Sequence, residues 1–174
     1  MGIHRELELL NPELKAAVLR TFKTLDSVNF KYLVSETLRD KEVQEAYFAQ
    51  GRKSLEEVNA LRKKVGLYLL KEAENLKTVT NCDGVKHLSN HQCRDGSGLG
   101  SAIDIVPAYE DNQGRLNFWW AAPQSVWEYL GHIAESCGLD WCYGGKGEHW
   151  GWDSPHFELL KDFVVEEPKK MEGC

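Results

Sequence analysis

No apolar run in this 174-residue sequence is long enough to cross a bilayer, which takes about 20 such residues. The N-terminus, Met1-Gly2-Ile3-His4-Arg5-Glu6, lacks an apolar stretch behind a basic start. No secretory signal is therefore read, synthesis in the cytoplasm is expected, and any export needs help from elsewhere. An excess of basic charge is missing too. Lys and Arg number 21 against 27 Asp and Glu, a net charge of -6, so no nucleic-acid partner is expected, because phosphate binding wants a basic surface. Cysteines are few and odd in number. Cys82, Cys93, Cys137, Cys142 and Cys174 lack the even count and regular spacing of a disulfide framework, and reduced thiols are expected. Internal repeats and interdomain linkers are absent. One monomeric domain over residues 1–174 is expected, long enough to bury a core.

What is present has the makeup of a globular chain, 42% hydrophobic and 28% charged. Asn11 before Pro12 is an N-cap with proline at the first helical position, and predicts a helix over 12–26. Residues 30–35 have strand character, and 40–50 read as a helix stopping at Gly51. Ser54 and Glu57 have capping-box spacing at the head of a stretch running to about Leu76. Its apolar stripe is Val58, Leu61, Val65, Leu69 and Leu70, with Gly66 as a candidate break and the charges of 56–75 as a solvated face. Residues 78–100 read as loop, and 102–106 as a strand ended by Pro107. Residues 123–137 form an amphipathic helix stopped by Gly138. A Gly- and Trp-rich segment leads to a last strand, His156 to Leu160, and a charged, mobile tail is expected after Pro168. The class is α+β, a small antiparallel sheet with helices packed on it.

Three potential metal ligands stand near predicted strand ends: His91 and Asp104 around one strand, and His156 opening another. A catalytic zinc takes about three His and carboxylate ligands and leaves a position for water, whose pKa it lowers to about 7. Asp153, three residues before His156 with Pro155 fixing the turn, is the candidate base. Spacing alone leaves other readings open. A single histidine is more often a surface or satisfied core residue. His87 and Cys93 rival His91 as ligands. Cys137 and Cys142 with Cys82 and Cys93 could form a structural zinc site, and Cys93 with His91 a nucleophilic pair.

Longer motifs narrow the choice. Ser89-Asn90-His91 followed by Gly100-Ser101-Ala102-Ile103-Asp104 resembles the S-x-H…G-x-A-x-D motif of one zinc peptidase family. That family holds D-alanyl-D-alanine carboxypeptidases and dipeptidases and the L-alanyl-D-glutamate endopeptidases of many phage endolysins. Trp152-Asp153-Ser154-Pro155-His156-Phe157-Glu158 is similar to its second motif, and Glu36 to Arg39, Gln44 and Tyr47 to Arg52 to its N-terminal segment. The resemblance runs in order over residues 30–160, the expected catalytic core. It implies a DD-peptidase/hedgehog-like fold with Zn2+ on His91, Asp104 and His156. It also implies Asp153 as base and then acid, and Arg39 at the developing oxyanion, with Gln44 supporting that site. Ser89 would orient substrate or the ligand loop, or be a plain turn serine. Trp150 and Trp152 would contact substrate, although the tryptophans could equally pack core and rim.

The implied activity is hydrolysis of a peptidoglycan stem peptide, with L-alanyl-D-glutamate as the preferred bond and D-alanyl-D-alanine as the competing one. The aspartate base leans toward the endolysin branch, which implies a lysis enzyme reaching the wall through a holin-made hole. A non-catalytic zinc module on the same fold is the alternative. The sequence departs from the family in one loop. Asp104 follows His91 by thirteen positions rather than seven, so six extra residues lie within 92–99. Asp95-Gly96-Ser97-Gly98 there hints at a calcium loop but lacks the repeated acidic ligands, and a flexible lid is the plainer reading.

Overall fold

The Asn11 cap forms as its sequence predicts. In the computed structural model, which describes residues 3–144 and 151–163, its Oδ1 accepts from Leu14 N at 2.8 Å and opens α1 (Pro12–Ser27). Trp150 and the expected charged tail lie outside the described residues. One face of α1 buries Leu14, Ala17, Val18 and Leu25. These side chains meet Trp127, Leu130 and Ala134 of α5 (Gln124–Ser136), and both helices pack on one face of an antiparallel sheet.

The sheet comprises β1 (Tyr32–Glu36), β2 (Ala102–Glu110), β3 (Leu116–Phe118), β4 (Leu139–Trp141) and β5 (His156–Leu159). The order is β1-β2-β5-β4, with β3 pairing the far end of β2. Ile103 and Ile105 of β2, Leu139 and Trp141 of β4 and Phe157 of β5 point into the core beneath the helices. Strand alternation therefore turns Asp104 and His156 to the other face. The α+β expectation holds. No helix among the described residues is long and apolar enough to cross a membrane.

Two boundaries differ from the sequence reading. Strand β2 does not end at Pro107 but continues to Glu110. The Pro107 carbonyl accepts from Trp119 N at 2.8 Å, so its nitrogen faces the same side. There the β5 pairing has ended at Asp104 and the β3 pairing begins only at Ala108, so no N–H is required of residue 107. The stretch from Ser54 is also divided. The capping box forms and α3 (Leu55–Lys64) follows, but Gly66 turns the chain with φ 73° before the short α4 (Glu72–Asn75). Its charged face is not wholly solvated, because Arg62 is buried against α2 (Lys41–Ala49) and the loop after α3.

Helix α5 approaches the sheet closely at Gly131. A Cβ there would lie 2.3 Å from Trp141 Cε3. Gly131→Ala is expected to cost about 1–3 kcal/mol through overpacking, against any gain in helix propensity. In a domain of this size that lowers Tm by roughly 3–10 °C. An unchanged Tm in the purified variant would remove the claim of close approach.

Candidate metal centre

The register of the sheet places the ionisable groups. Asp104 on β2 pairs directly with His156 on β5, and Glu36 on β1 pairs with Asp104 from the other side. The second pairing depends on a bulge between Val34 and Glu36. Had the register of Tyr32 to Val34 continued unbroken, Glu36 would stand opposite Ile103 and face the apolar core, where a carboxylate is costly. The bulge flips it onto the face that carries Asp104 and His156.

His91 reaches the same face from the loop before β2. Its Nδ1–H donates to the Thr37 carbonyl at 2.8 Å, and its own carbonyl accepts from Arg39 N at 2.9 Å, which knits two loops together. His156 Nε2–H donates to Glu158 at 3.0 Å. A carbonyl and a carboxylate only accept, so these bonds set both tautomers. His91 Nε2 and His156 Nδ1 are left as lone pairs 3.0 Å apart, with Asp104 Oδ1 at 3.1 and 3.2 Å from them. Three electron-rich atoms directed at one point repel unless a cation lies between them. Around a tetrahedral zinc with bonds of about 2.0–2.1 Å, adjacent donors stand about 3.3–3.4 Å apart, so the triangle fits such an ion with little adjustment.

The local potential agrees. Burial alone would lower the His156 pKa, but hydrogen bonds with Asp104 and Glu158 outweigh it and raise it to about 10. Burial likewise opposes ionisation of Asp104, yet the two histidines hold it far below the usual carboxylate range. A potential that retains a proton this firmly also favours a dication in its place. Cys142, His156 and Glu158 form a second candidate group among the described residues. Burial pushes the Cys142 thiol well above its ordinary range, which opposes the thiolate a metal needs.

Glu158 lies two residues from His156 on the same strand face, and Asn90 donates to it. It is an orienting partner that sequence reasoning left without a role, although H-x-E on a strand puts both side chains on one side. Glu158→Gln is expected to weaken metal affinity about 10–100-fold, with the fold retained, because His156 Nε2–H then meets a neutral amide oxygen that makes the imidazole a weaker ligand than the carboxylate does. Competitive titration with a chromogenic chelator reads this directly, and unchanged affinity would remove Glu158 as the orienting partner of His156.

Arg39 lines the cleft beside the donors, and burial alone would lower its pKa. Hydrogen bonding and charge from Glu36 more than reverse this. Both Glu36 carboxylate oxygens accept from Arg39, and Gln44 Oε1 accepts from Nη1 at 2.9 Å. Gln44 sits behind Arg39, fully buried, with its amide nitrogen donating to Cys82 O at 2.6 Å. Its position is that of a brace. Ser89 borders the cleft, and its Oγ accepts from His91 N at 3.3 Å, which ties it to the ligand loop.

Asp153 enters the same cleft, next to Trp152, which is 53% exposed at the rim. Burial first, and the Asp104 charge second, raise the Asp153 carboxyl to about 6, while His156, His91 and Arg39 pull the other way. The cleft holds about 1040 Å³, enough for a peptide segment.

The rivals of His91 stand elsewhere. The His87 side chain is 78% exposed and pairs with Asp83. Cys93 Sγ accepts from Gly98 N at 3.0 Å, and Asp95 accepts from Ser97 N at 3.0 Å, so the extra residues close into a turn of their own. At its end Gly100 passes between Thr37 O and His91 O, where a Cβ would lie 3.2 and 3.3 Å from them. Cys82, Cys93, Cys137 and Cys142 are unbridged.

Neither a protein-family model nor a curated protein sequence matches the chain. Solved structures similar to it include the Serratia marcescens L-Ala D-Glu endopeptidase ChiX, at 18% identity and a TM-score of 0.43, covering 88% of this chain and 83% of that one. Another is the LdcB LD-carboxypeptidase, at 14% and 0.44, covering 87% of this chain and 59% of that one. A third is the vancomycin resistance D,D-pentapeptidase VanY from a VanB-type cassette, in complex with Zn(II), at 18% and 0.49, covering 87% and 72%.

Proposed function

We propose that the chain is a zinc-dependent peptidase acting on peptidoglycan stem peptides, with His91, Asp104 and His156 as ligands. The observation that carries this reading is the meeting of two histidine lone pairs and one carboxylate oxygen at a single point, beside a second carboxyl raised to about 6. When bound there, zinc would acidify water and polarise a carbonyl. Asp153 then takes the water's proton and returns it to the departing amine. Arg39, held by Glu36 and Gln44, presents its remaining N–H groups to the carbonyl oxygen as negative charge develops. Trp152 and Ser89 border the peptide's path, and Trp150 is proposed to join them.

The preferred bond is L-alanyl-D-glutamate, supported by the aspartate in the base position. A lysis role at the wall after holin-type release, as a monomer, belongs to the same reading. The experiment is digestion of purified sacculi with and without a chelator, with products identified by mass spectrometry. New N-terminal D-glutamate, lost with chelator and restored by zinc, is the expected result. Released D-alanine would move the substrate to the carboxypeptidase branch. Zinc binding without any stem-peptide cleavage would replace the enzyme by a wall-binding module.

A further inference from the structure

Two arginines border the ring of Tyr47 on α2, with Cζ of Arg39 at 4.8 Å and of Arg62 at 5.8 Å from its centroid. Their charges are treated differently. Arg39 is neutralised by a two-pronged pair with Glu36. Arg62, on α3, is only 2% exposed, yet no carboxylate pairs with it among the described residues. Its Nε donates to the Tyr68 carbonyl at 2.7 Å and its Nη1 to Gln50 Oε1 at 3.2 Å, while the Tyr68 ring lies 4.5 Å from Cζ. Nη2 has no protein acceptor among the described residues.

A buried cation without a counter-charge is costly. Tying Tyr68 and Gln50 together needs N–H donors, which a neutral amide side chain supplies without that cost. The bonds within the protein therefore explain the donors but not the charge. Arg62 lines the same cleft as His91, Asp104, His156 and Asp153, and its flat guanidinium, steadied between Tyr47 and Tyr68, matches the two oxygens of a carboxylate.

We propose that Arg62 is the anion anchor of the cleft and pairs with a free carboxylate of the bound stem peptide. This rests on the peptidase reading for the identity of the ligand. The stem peptide offers two such groups, the α-carboxyl of its γ-linked D-glutamate and its C-terminus. The anchor thus selects between peptides with free and amidated carboxyls, a property that the metal centre alone does not confer.

The test uses the zinc-loaded full chain and three tetrapeptides of sequence L-Ala-γ-D-Glu-L-Lys-D-Ala: one with both carboxyls free, one amidated at D-glutamate and one amidated at the C-terminus. Calorimetry reads binding, and mass spectrometry of the same mixtures reads cleavage. Amidation of one of the two carboxyls is expected to weaken binding to wild type at least about tenfold, as for loss of a charged hydrogen-bonded pair. Arg62→Gln should abolish that difference by binding the free peptide only as well as wild type binds the amide. Arg62→Lys, which keeps the charge but not the fork, should retain part of the preference, and it carries the test if the glutamine variant does not fold. Equal binding of all three peptides by wild type, or a preference unchanged in both variants, overturns the anchor. Preference without cleavage overturns the peptidase reading and supports the anchor, whereas cleavage without preference does the reverse.

Discussion

Asp153→Asn is expected to lower kcat about a thousandfold, or ~4 kcal/mol of transition-state stabilisation, with zinc content and Tm close to wild type. Asparagine matches aspartate in shape but cannot accept the proton of the attacking water. Asp153 is not one of the converging donors, so the metal should stay in place. The pH profile adds a second reading. Burial and the Asp104 charge raise the Asp153 carboxyl to about 6, and only its ionised form acts as base. Wild-type kcat/KM should therefore fall as pH drops through that region. The limb should lie at or below 6, because a dication adds to the downward pull of His156, His91 and Arg39. The residual activity of the asparagine variant should lack this limb. Turnover like wild type, or an acid limb that survives the substitution, would assign the proton transfer to another group.

How much of the site was legible depended on the range of the signal. Asn11-Pro12 and Ser54 with Glu57 are local signals, and both caps form. His91, Asp104 and His156 lie far apart in sequence, and ordered motifs brought them together as candidates. The sheet register then provides the reason that they meet. Glu158 could have been found from strand alternation alone. Glu36 could not, because its facing depends on a one-residue bulge without a sequence marker. Pro107 misled, since proline ends a strand only where its missing N–H would have had a partner. The three-residue strands β3 and β4 are too short to show alternation. Arg62 was lost in a run of helical charges that reads as solvated. Only the packing of α3 against Tyr47 and the loop carrying Tyr68 takes it out of water.

His156→Ala should weaken zinc binding by more than about 100-fold, beyond the loss typical of an orienting partner such as Glu158. The substitution removes one donor of the triangle and leaves Glu158 without the imidazole N–H that it accepts. Lower metal content after dialysis is the first readout. Unfolding temperature is the second and does not depend on turnover. An ion that binds only the folded state stabilises it by about 4 kcal/mol when present at a thousand times its Kd. For a chain of this length that corresponds to roughly 10 °C in Tm. Wild type should lose this increment on chelation and regain it with zinc, while the variant should show at most about a third of it at the same zinc concentration. Removing the ion exposes His91 Nε2, His156 Nδ1 and Asp104 Oδ1 to mutual repulsion, which one proton relieves only in part. The chelated protein should therefore regain some of its lost Tm when the pH is lowered below the raised His156 pKa of about 10 toward neutrality. The sign follows because a folded-state pKa above the unfolded value stabilises at low pH and ceases to do so as pH rises through it. Equal metal content in wild type and variant, with the chelator shift intact, would remove His156 from the ligand set and with it the point at which the donors converge.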